Sequence, residues 1–300
     1  MVEIAMIKAD VWDERKCELG EGPASAGKNN QRGYWVDITG KKVLWRDLDT
    51  NATGEYSVDE EIGFVIPRAQ GGELIGTTSG PYLRDADGTM HALPNRVDVD
   101  GPGEKFPIRW NDAKVSPTGD LWLGSLTAEF TPGEAALYRL DRDGSKMERV
   151  ISDVTLSNGL DWSNDGKTMY YIDTMKFTVD SFDVEGKNIT NRKVRYTANP
   201  DEGFPDGMCA DNQGGLWVAF WGSSEVRRLD ENFKVSEIIS VPAMFASSCA
   251  FIGPDLDILM ITTAQSSGRA GDPFDNGVDA GKTFICKPGA TGRATASFAV

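Results

Sequence analysis

Short apolar runs separated by polar turns recur along the chain and predict repeated β-hairpins. In residues 206–221 a brief apolar run precedes Asn212, Gly214 and Gly215, and a run rich in β-branched and aromatic residues follows them. This order is typical of two strands joined by a tight turn. Similar stretches begin at Asn111, Asn158 and Ser248, with looser copies at Glu21 and Gly63. The pattern therefore predicts six hairpins.

The spacing of the hairpins indicates the architecture. The first apolar residues of the second strands lie 40, 47, 48, 47 and 42 residues apart, at Tyr34, Leu74, Leu121, Met169, Leu216 and Ile258. A period of roughly 40 to 50 residues is typical of propeller blades, whereas a β-sandwich has no reason to repeat. We predict an all-β fold: a six-bladed β-propeller with four-stranded antiparallel blades around a central channel, in a single domain that covers residues 1–300.

Three segments fall outside the repeat. We predict that residues 3–12 form a lone strand that completes the last blade, because closing the ring in this way removes two exposed sheet edges. Residues 93–109 form a longer irregular stretch, which we predict to be a lid over the channel. The small and polar residues 289–300 predict a flexible tail.

Composition excludes several classes of partner. The chain has 31 Lys and Arg against 46 Asp and Glu, and the resulting net charge of −15 opposes binding to nucleic acid or anionic lipid. The first residues lack a secretory signal, and no run approaches the length of a membrane span. Four widely spaced cysteines favour a reduced compartment. We therefore predict a cytoplasmic protein, a monomer or weak homo-oligomer, that binds a small molecule and neither nucleic acid nor membrane.

Side chains with oxygen atoms stand at the mouth of the first strand in four repeats: Glu21, Asn111, Asn158 and Asp206. Equivalent positions of a propeller form a ring around the channel, so these side chains should converge. Two carboxylates held close together repel unless a cation lies between them, and ligation by oxygen alone indicates Ca²⁺, Mg²⁺ or Mn²⁺. Asn-Gly at Asn158 and Asp-Gly at Asp206 are also turn dipeptides, so each taken alone is more typical of a turn.

Motifs for other kinds of catalysis are missing from the sequence. His91 is the only histidine, and no Ser or Cys lies in an elbow motif, which excludes hydrolysis by a catalytic triad. A glycine-rich phosphate loop is also lacking. The ring of oxygen-bearing side chains is therefore the candidate for chemistry.

Four stretches resemble the regucalcin (senescence marker protein) and gluconolactonase family: residues 21–23, 109–112, 157–163 and 205–209. They follow one another in order over nearly the whole chain, and the stretches SNGLDWS and PDGMC are specific to the family. The resemblance implies a six-bladed propeller that opens sugar-acid lactones with one divalent cation. Ca²⁺ is the first candidate, and Mg²⁺, Mn²⁺, Zn²⁺ and Fe²⁺ are the alternatives.

The resemblance also assigns roles to individual residues. It implies three metal ligands: Glu21, Asn158 and Asp206. Asn111 would lie near the metal and touch the substrate, and Arg109 would bind substrate oxygens. Glu129 would contact a substrate hydroxyl, although the sequence around it departs from the family's pattern.

Metal-assisted hydrolysis of a sugar-acid lactone is the predicted function, with glucono-, xylono- or arabinolactone as substrate. Asp206 is the predicted catalytic general base, because a carboxylate beside both metal and water is well placed to accept a proton. Arg109 and Asn111 would orient the hydroxylated ring. Two alternatives remain for the same ring of residues, because fold alone does not decide function: hydrolysis of an organophosphate or other ester, and a non-catalytic calcium-binding propeller.

Overall fold

Strands joined by short turns make up the computed structural model, which describes residues 4–93, 108–267 and 277–300. Two short strands begin the described chain, β1 (Ala5–Lys8) and β2 (Asp10–Asp13). The described helical segments are single 3-10 turns at Lys28–Asn30, Thr174–Lys176 and Pro200–Glu202. None of these is long or apolar enough to cross a bilayer. The predicted lid, apart from its ends, lies outside the described residues.

Most strands in the described ranges form four separate antiparallel sheets, each built from four consecutive strands. The first contains β3 (Gly20–Ala26), β4 (Arg32–Asp37), β5 (Lys42–Asp47) and β6 (Thr53–Ser57). The second contains β7 (Ile62–Pro67), β8 (Glu73–Thr77), β9 (Gly80–Arg84) and β10 (Met90–Ala92). The third contains β11 (Ile108–Val115), β12 (Leu121–Thr127), β13 (Ala135–Leu140) and β14 (Met147–Val154). The fourth contains β15 (Ser157–Trp162), β16 (Thr168–Asp173), β17 (Thr178–Glu185) and β18 (Asn188–Thr197).

The remaining strands join in one nine-stranded sheet that includes β1 and β2. Its first hairpin and outer strands are β19 (Phe204–Ala210), β20 (Leu216–Trp221), β21 (Glu225–Leu229) and β22 (Val235–Ser240). Its second hairpin and outer strand are β23 (Phe245–Ile252), β24 (Ile258–Ala264) and β25 (Thr283–Cys286). One residue pair, Trp221 with Phe245, connects the two halves.

The prediction of six four-stranded antiparallel blades is wrong, although the all-β propeller fold is as expected. The described chain has four separate four-stranded sheets, and its last two hairpins share a single sheet in which β1 runs parallel to β22. The repeat period reports how many hairpins the chain contains. It does not report whether the edges of neighbouring hairpins hydrogen-bond, which here depends on the Trp221–Phe245 bridge.

The N-terminal strands attach to both halves of the nine-stranded sheet. β1 pairs with β22 from Ala5 opposite Glu237 to Lys8 opposite Ser240. β2 pairs in the antiparallel sense with β25, from Asp10 opposite Ile285 to Asp13 opposite Thr283. The start of the described chain therefore covers strand edges that would otherwise be open to pairing with another molecule.

The last strand of each four-stranded sheet is its least buried strand. Every residue of β12 and β15 is buried, whereas every residue of β10 and β18 is exposed or half-buried. Aromatic side chains fill the space between neighbouring sheets, as where the Trp122 and Trp162 rings meet edge to face at 6.1 Å. The first strands consequently lie around the axis and form a rigid wall for the central channel.

A β-bulge interrupts the first strand of every hairpin at the same place. The register shifts lie between Glu21 and Ala24, Ile62 and Phe64, Trp110 and Ala113, Ser157 and Leu160, Pro205 and Met208, and Ala246 and Ser248. A bulge turns the side chain of the extra residue away from the alternation of the strand. Glycine allows the backbones to approach here: a Cβ on Gly207 would lie 2.0 Å from the Ser248 Oγ atom.

The C-terminal segment, predicted as a flexible tail, lies across one end of the channel. Gly292 forms a bridge with Asp211, and the Thr295 N–H donates to the Ser25 Oγ atom at 2.7 Å. Phe298 is fully buried and pairs in the parallel sense with Arg68. We call this the far end of the channel, and the end at which the first strands begin is the near end.

Candidate metal and substrate site

Four of the predicted residues line one cavity of about 710 Å³ at the near end, together with Arg109. Glu21, Asn111, Asn158 and Asp206 come from four first strands and are each only 3–6% exposed. Asn111, Asn158 and Asp206 lie within the bulges of their strands, and Glu21 borders the bulge of its strand. The bulges break the alternation of the strands, which lets these side chains leave the sheets and line the cavity. The turn alternative, left open for Asn158 and Asp206, does not describe these positions, since both lie within strands.

The two asparagines are held by a chain of hydrogen bonds between blades. The Asn111 Nδ2 atom donates to the Asn158 Oδ1 atom at 2.6 Å and to the Ser157 carbonyl oxygen at 2.7 Å. The Asn158 Nδ2 atom donates to the Thr174 Oγ1 atom at 2.6 Å, and that hydroxyl donates to the Pro205 carbonyl oxygen at 2.7 Å. These bonds fix the orientation of both amides.

The two carboxylates at the near end destabilise each other when both are charged. Burial raises the pKa of Glu21 well above its ordinary value, and the charge of Asp112 raises it further. Burial, followed by repulsion from Glu21 and Asp112, likewise raises the pKa of Asp206. Arg109 opposes all of these shifts but does not outweigh them. The near end therefore holds more negative charge than its own cation compensates.

Arg109 is the one described cation that lines this cavity. Its side chain is 18% exposed, donates to the Asn111 Oδ1 atom at 2.8 Å, and lies 3.5 Å from the Glu61 carboxylate. Burial lowers the pKa of Arg109, and the carboxylates of Glu61 and Glu21 counteract this. Both contacts are to groups of the protein itself, and the guanidinium also lines the cavity, where it can donate to an oxygen of a ligand. We call the set that Arg109 forms with the two carboxylates and the two amides the polar floor of the cavity.

Glu129 is the predicted site residue that the structure does not bring to the cavity. It is exposed in the turn after β12, and its neighbour Phe130 lines the cavity instead. Among the described residues no group of three or more His, Cys, Asp or Glu side chains forms a metal site. The oxygen donors at the near end are a mixed set of two carboxylates and two amides.

Sequence reasoning missed three features of the site. Asp112 shares the bulge of Asn111, and burial raises its pKa to about 6. The repeat drew attention to only one residue in each strand. Thr174 lies outside the repeat, in a 3-10 turn, and no pattern marked it. The cavity also has a wall of large apolar side chains: Phe130, Met175, Phe204, Trp221, Met244 and Phe245.

The fold and the site define an all-β propeller protein with a buried carboxylate and amide centre at one end of its channel. The chain belongs to the SMP-30/gluconolactonase/LRE-like family, whose model matches residues 19–265. This confirms the family predicted from the sequence.

Individual relatives extend the match over most of the chain. It is 36% identical to a regucalcin of Danio rerio over 287 residues, which covers 94% of each protein. It is also 36% identical to the Bacillus subtilis protein named "Putative sugar lactone lactonase YvrE", over 87% of each chain. The crystal structure of a calcium-binding protein, regucalcin, from Agrobacterium tumefaciens has a TM-score of 0.88 and covers 99% of both chains at 24% identity.

Proposed function

We propose that the protein hydrolyses a sugar-acid lactone and uses a divalent cation held by Glu21, Asn158 and Asp206. One observation carries the proposal. Two buried carboxylates from sheets far apart in sequence converge beside amide oxygens, and Arg109 alone does not balance their charge. The name of the Bacillus relative supports the substrate class.

The donor set of the near end fits a hard divalent cation. Carboxylate and amide oxygens are the ligands that Ca²⁺ and Mg²⁺ prefer, and the amides are already oriented by their other hydrogen bonds. Ca²⁺ is our first candidate, ahead of Mg²⁺, Mn²⁺, Zn²⁺ and Fe²⁺. When bound, the cation would polarise the lactone carbonyl and favour charge on its oxygen during attack by water.

Asp206 is the proposed general base. Its carboxylate lies at the bottom of a cavity with an apolar wall, where burial raises its pKa towards the range in which a carboxylate accepts a proton effectively. Asp206 would take the proton from the attacking water at a carboxylate oxygen. The ring would open when the bond between the acyl carbon and the ring oxygen breaks, and Asp206 would return its proton to that oxygen, which leaves as a hydroxyl.

Arg109 and Asn111 are the proposed positioning residues for the substrate. Both lie at the polar floor, and the hydrogen bond between them holds the guanidinium plane beside the amide. An arginine in this position can donate to the hydroxyl or carbonyl oxygens of a ring and fix its orientation, which lowers the barrier to attack. Glu129 stays a prediction as a contact for a substrate hydroxyl.

A titration assay on aldonolactones tests the proposal. Protein treated with chelator should release no acid from glucono-, xylono- or arabinolactone, and the addition of Ca²⁺, Mg²⁺, Mn²⁺, Zn²⁺ or Fe²⁺ should restore hydrolysis of at least one. The variant Glu231→Gln, which changes an exposed carboxylate away from the cavity, should behave as wild type. Full turnover by metal-stripped protein would exclude the cation, and calorimetric binding of Ca²⁺ without turnover would favour a non-catalytic calcium-binding protein.

A further inference from the structure

Three aromatic side chains lie in a row along one side of the near-end cavity. Phe204 pairs with Trp221 across β19 and β20, and Trp221 pairs with Phe245 across β20 and β23. Residues directly opposite each other on antiparallel strands face the same side, so the three rings form one surface. We call Phe204, Trp221 and Phe245 the aromatic row. All three line the cavity.

The aromatic row is rigid. The rings of Trp221 and Phe245 stack with centroids 4.6 Å apart and planes 30° from parallel. Phe204 is supported from behind by Phe177, whose ring centroid lies 5.0 Å away and which does not line the cavity. A surface held in this way loses little conformational entropy when a ligand packs against it.

Further apolar side chains extend the row to the mouth of the cavity. Met244 adjoins it, and Phe130 and Met175 lie at the opening with exposed fractions of 36% and 38%. These are two of the few large apolar side chains in the described ranges that remain so exposed. An exposed apolar surface in a cleft indicates a binding site, because a ligand that packs against it shields that surface from water.

The rest of the described cavity lining contains many polar residues. They include Glu18, Thr39, Gln265, Ser266 and Ser267, beside the apolar Leu19, Ile38 and Leu156, and the polar floor carries the carboxylates, amides and Arg109. A bare hydroxylated ring would match the polar floor and the other polar lining residues but would leave the aromatic row in contact with water. The cavity of about 710 Å³ is of the size that accommodates drug-sized ligands, roughly 300–1,000 Å³.

We propose that the preferred substrate is a lactone that carries an apolar substituent, an alkyl chain or an aromatic ring, which packs on the aromatic row. The lactone group itself would lie on the polar floor, near Arg109 and Asn111. This inference rests on the proposed hydrolysis and adds the chemistry of the group beside the reacting ring. Because burial of one methylene is worth roughly a fourfold change in an equilibrium or rate constant, each carbon of the substituent should raise kcat/KM by about that factor until the row is covered.

A series of δ-lactones tests the inference in the metal-supplemented protein. The series comprises δ-valerolactone, its derivatives with unbranched chains of one to six carbons or a phenyl group on the carbon next to the ring oxygen, and δ-gluconolactone. We expect kcat/KM to increase about fourfold for each carbon over the first three or four. In Trp221→Ala the ratio of kcat/KM between the butyl-substituted and unsubstituted lactones should fall about tenfold or more.

A matched pair of methionine variants provides the control. Met175→Ala removes an apolar side chain at the mouth of the cavity and should lower the same ratio by a few fold. Met6→Ala makes the same change on β1, outside the cavity, where the side chain is 72% exposed, and should leave the ratio unchanged. An equal fall in both variants would overturn the inference.

The outcomes separate this inference from the proposed function. If δ-gluconolactone is hydrolysed as well as the substituted lactones and Trp221→Ala lowers both equally, lactone hydrolysis stands and the apolar substituent is excluded. If no lactone is hydrolysed, the proposed function fails. The inference about the aromatic row is then tested by ligand binding alone. Calorimetry with non-hydrolysable δ-lactams that carry the same chains should show a Kd that falls with chain length. A Kd independent of chain length would exclude a role for the aromatic row.

Discussion

Buried carboxylates stand at both ends of the channel, and the protein compensates their charge in different ways. At the near end burial raises the pKa of Glu21 and Asp206, and repulsion from neighbouring carboxylates, Asp112 among them, raises both further. At the far end Asp161 contacts the Lys114 ammonium at 2.9 Å and the Arg293 guanidinium at 2.7 Å. Burial alone would raise the pKa of Asp161, but these two cations hold it below its ordinary value.

The contrast favours the near end as the site for a ligand. Asp161 also accepts the backbone N–H groups of Trp162 and Ala210, so its hydrogen-bonding capacity is used within the chain. It therefore serves to hold the C-terminal segment against the blades. Within the described part of the chain, the Glu21 carboxylate accepts the Gly22 N–H, and Arg109 is the cation that counteracts its charge. A binding site needs charge and hydrogen-bonding capacity that the protein itself does not satisfy. This unsatisfied capacity lowers the stability of the ligand-free protein.

The largest expected effect is on catalysis at the near end. Asp206→Asn keeps the size of the side chain but removes the base and one anionic ligand, so kcat for lactone hydrolysis should fall about 10³-fold. The measurement is the initial rate at saturating substrate with metal in excess. Asp59→Asn, at an exposed position, is the control and should retain full activity. A loss of less than tenfold in Asp206→Asn would count against its role as base.

The next effect is on stability at the far end. Asp161→Asn leaves Lys114 and Arg293 without their shared anion, and it should lower the free energy of unfolding by about 3 kcal/mol, the lower part of the range for a broken buried ion pair. Urea unfolding followed by fluorescence gives the value. Asp59→Asn should change it by less than about 0.5 kcal/mol. Equal effects in the two variants would refute the tie between Asp161 and the C-terminal segment.

A smaller effect of opposite sign is expected when a near-end carboxylate is neutralised. Removal of one charge from the repelling pair should stabilise the metal-free protein, so Asp206→Asn and Glu21→Gln should each raise the free energy of unfolding by about 1–2 kcal/mol. Added Ca²⁺ should increase the free energy of unfolding of these variants less than it increases that of the wild type. Destabilisation of the metal-free protein by both changes would show that the two ends do not differ as inferred.

The smallest effect is a dependence on pH that belongs to the far end. The pKa of Asp161 is depressed in the folded protein, so its stabilising contribution is present above the unfolded pKa of about 4 and is lost as the pH falls through the folded value. The difference in unfolding free energy between wild type and Asp161→Asn should be constant from pH 5 to 7. It should narrow as the pH falls below about 4. A difference that narrows instead between pH 5 and 7 would contradict the assignment.

The repeat period carried most of what could be predicted about the site. Glu21, Asn158 and Asp206 lie near the start of the first strands of the first, fourth and fifth hairpins, so a ring of first strands brings them together whatever the details of the outer strands. The number of separate sheets depended on one backbone bridge between Trp221 and Phe245, which no residue pattern reports. This is why the hairpins were foreseen and the blade count was wrong.

Contacts between the repeats and the irregular segments were beyond reach of the sequence. Arg293 meets Asp161 across 132 residues, and the path of the C-terminal segment has no period from which to derive it. The prediction for Glu129 shows a second limit of sequence analysis. Its position was transferred from a pattern that the surrounding residues do not follow, and the structure places it in an exposed turn.

The position of the C-terminal segment bears on how small molecules would reach the near end. Residues 293–296 line the far cavity and the Phe298 N–H donates to the Pro67 carbonyl oxygen, so this segment obstructs the far end of the channel. If the proposed hydrolysis is correct, lactone and released acid would share the near end as their route. Accumulating acid should then compete with fresh lactone, which product-inhibition kinetics would detect.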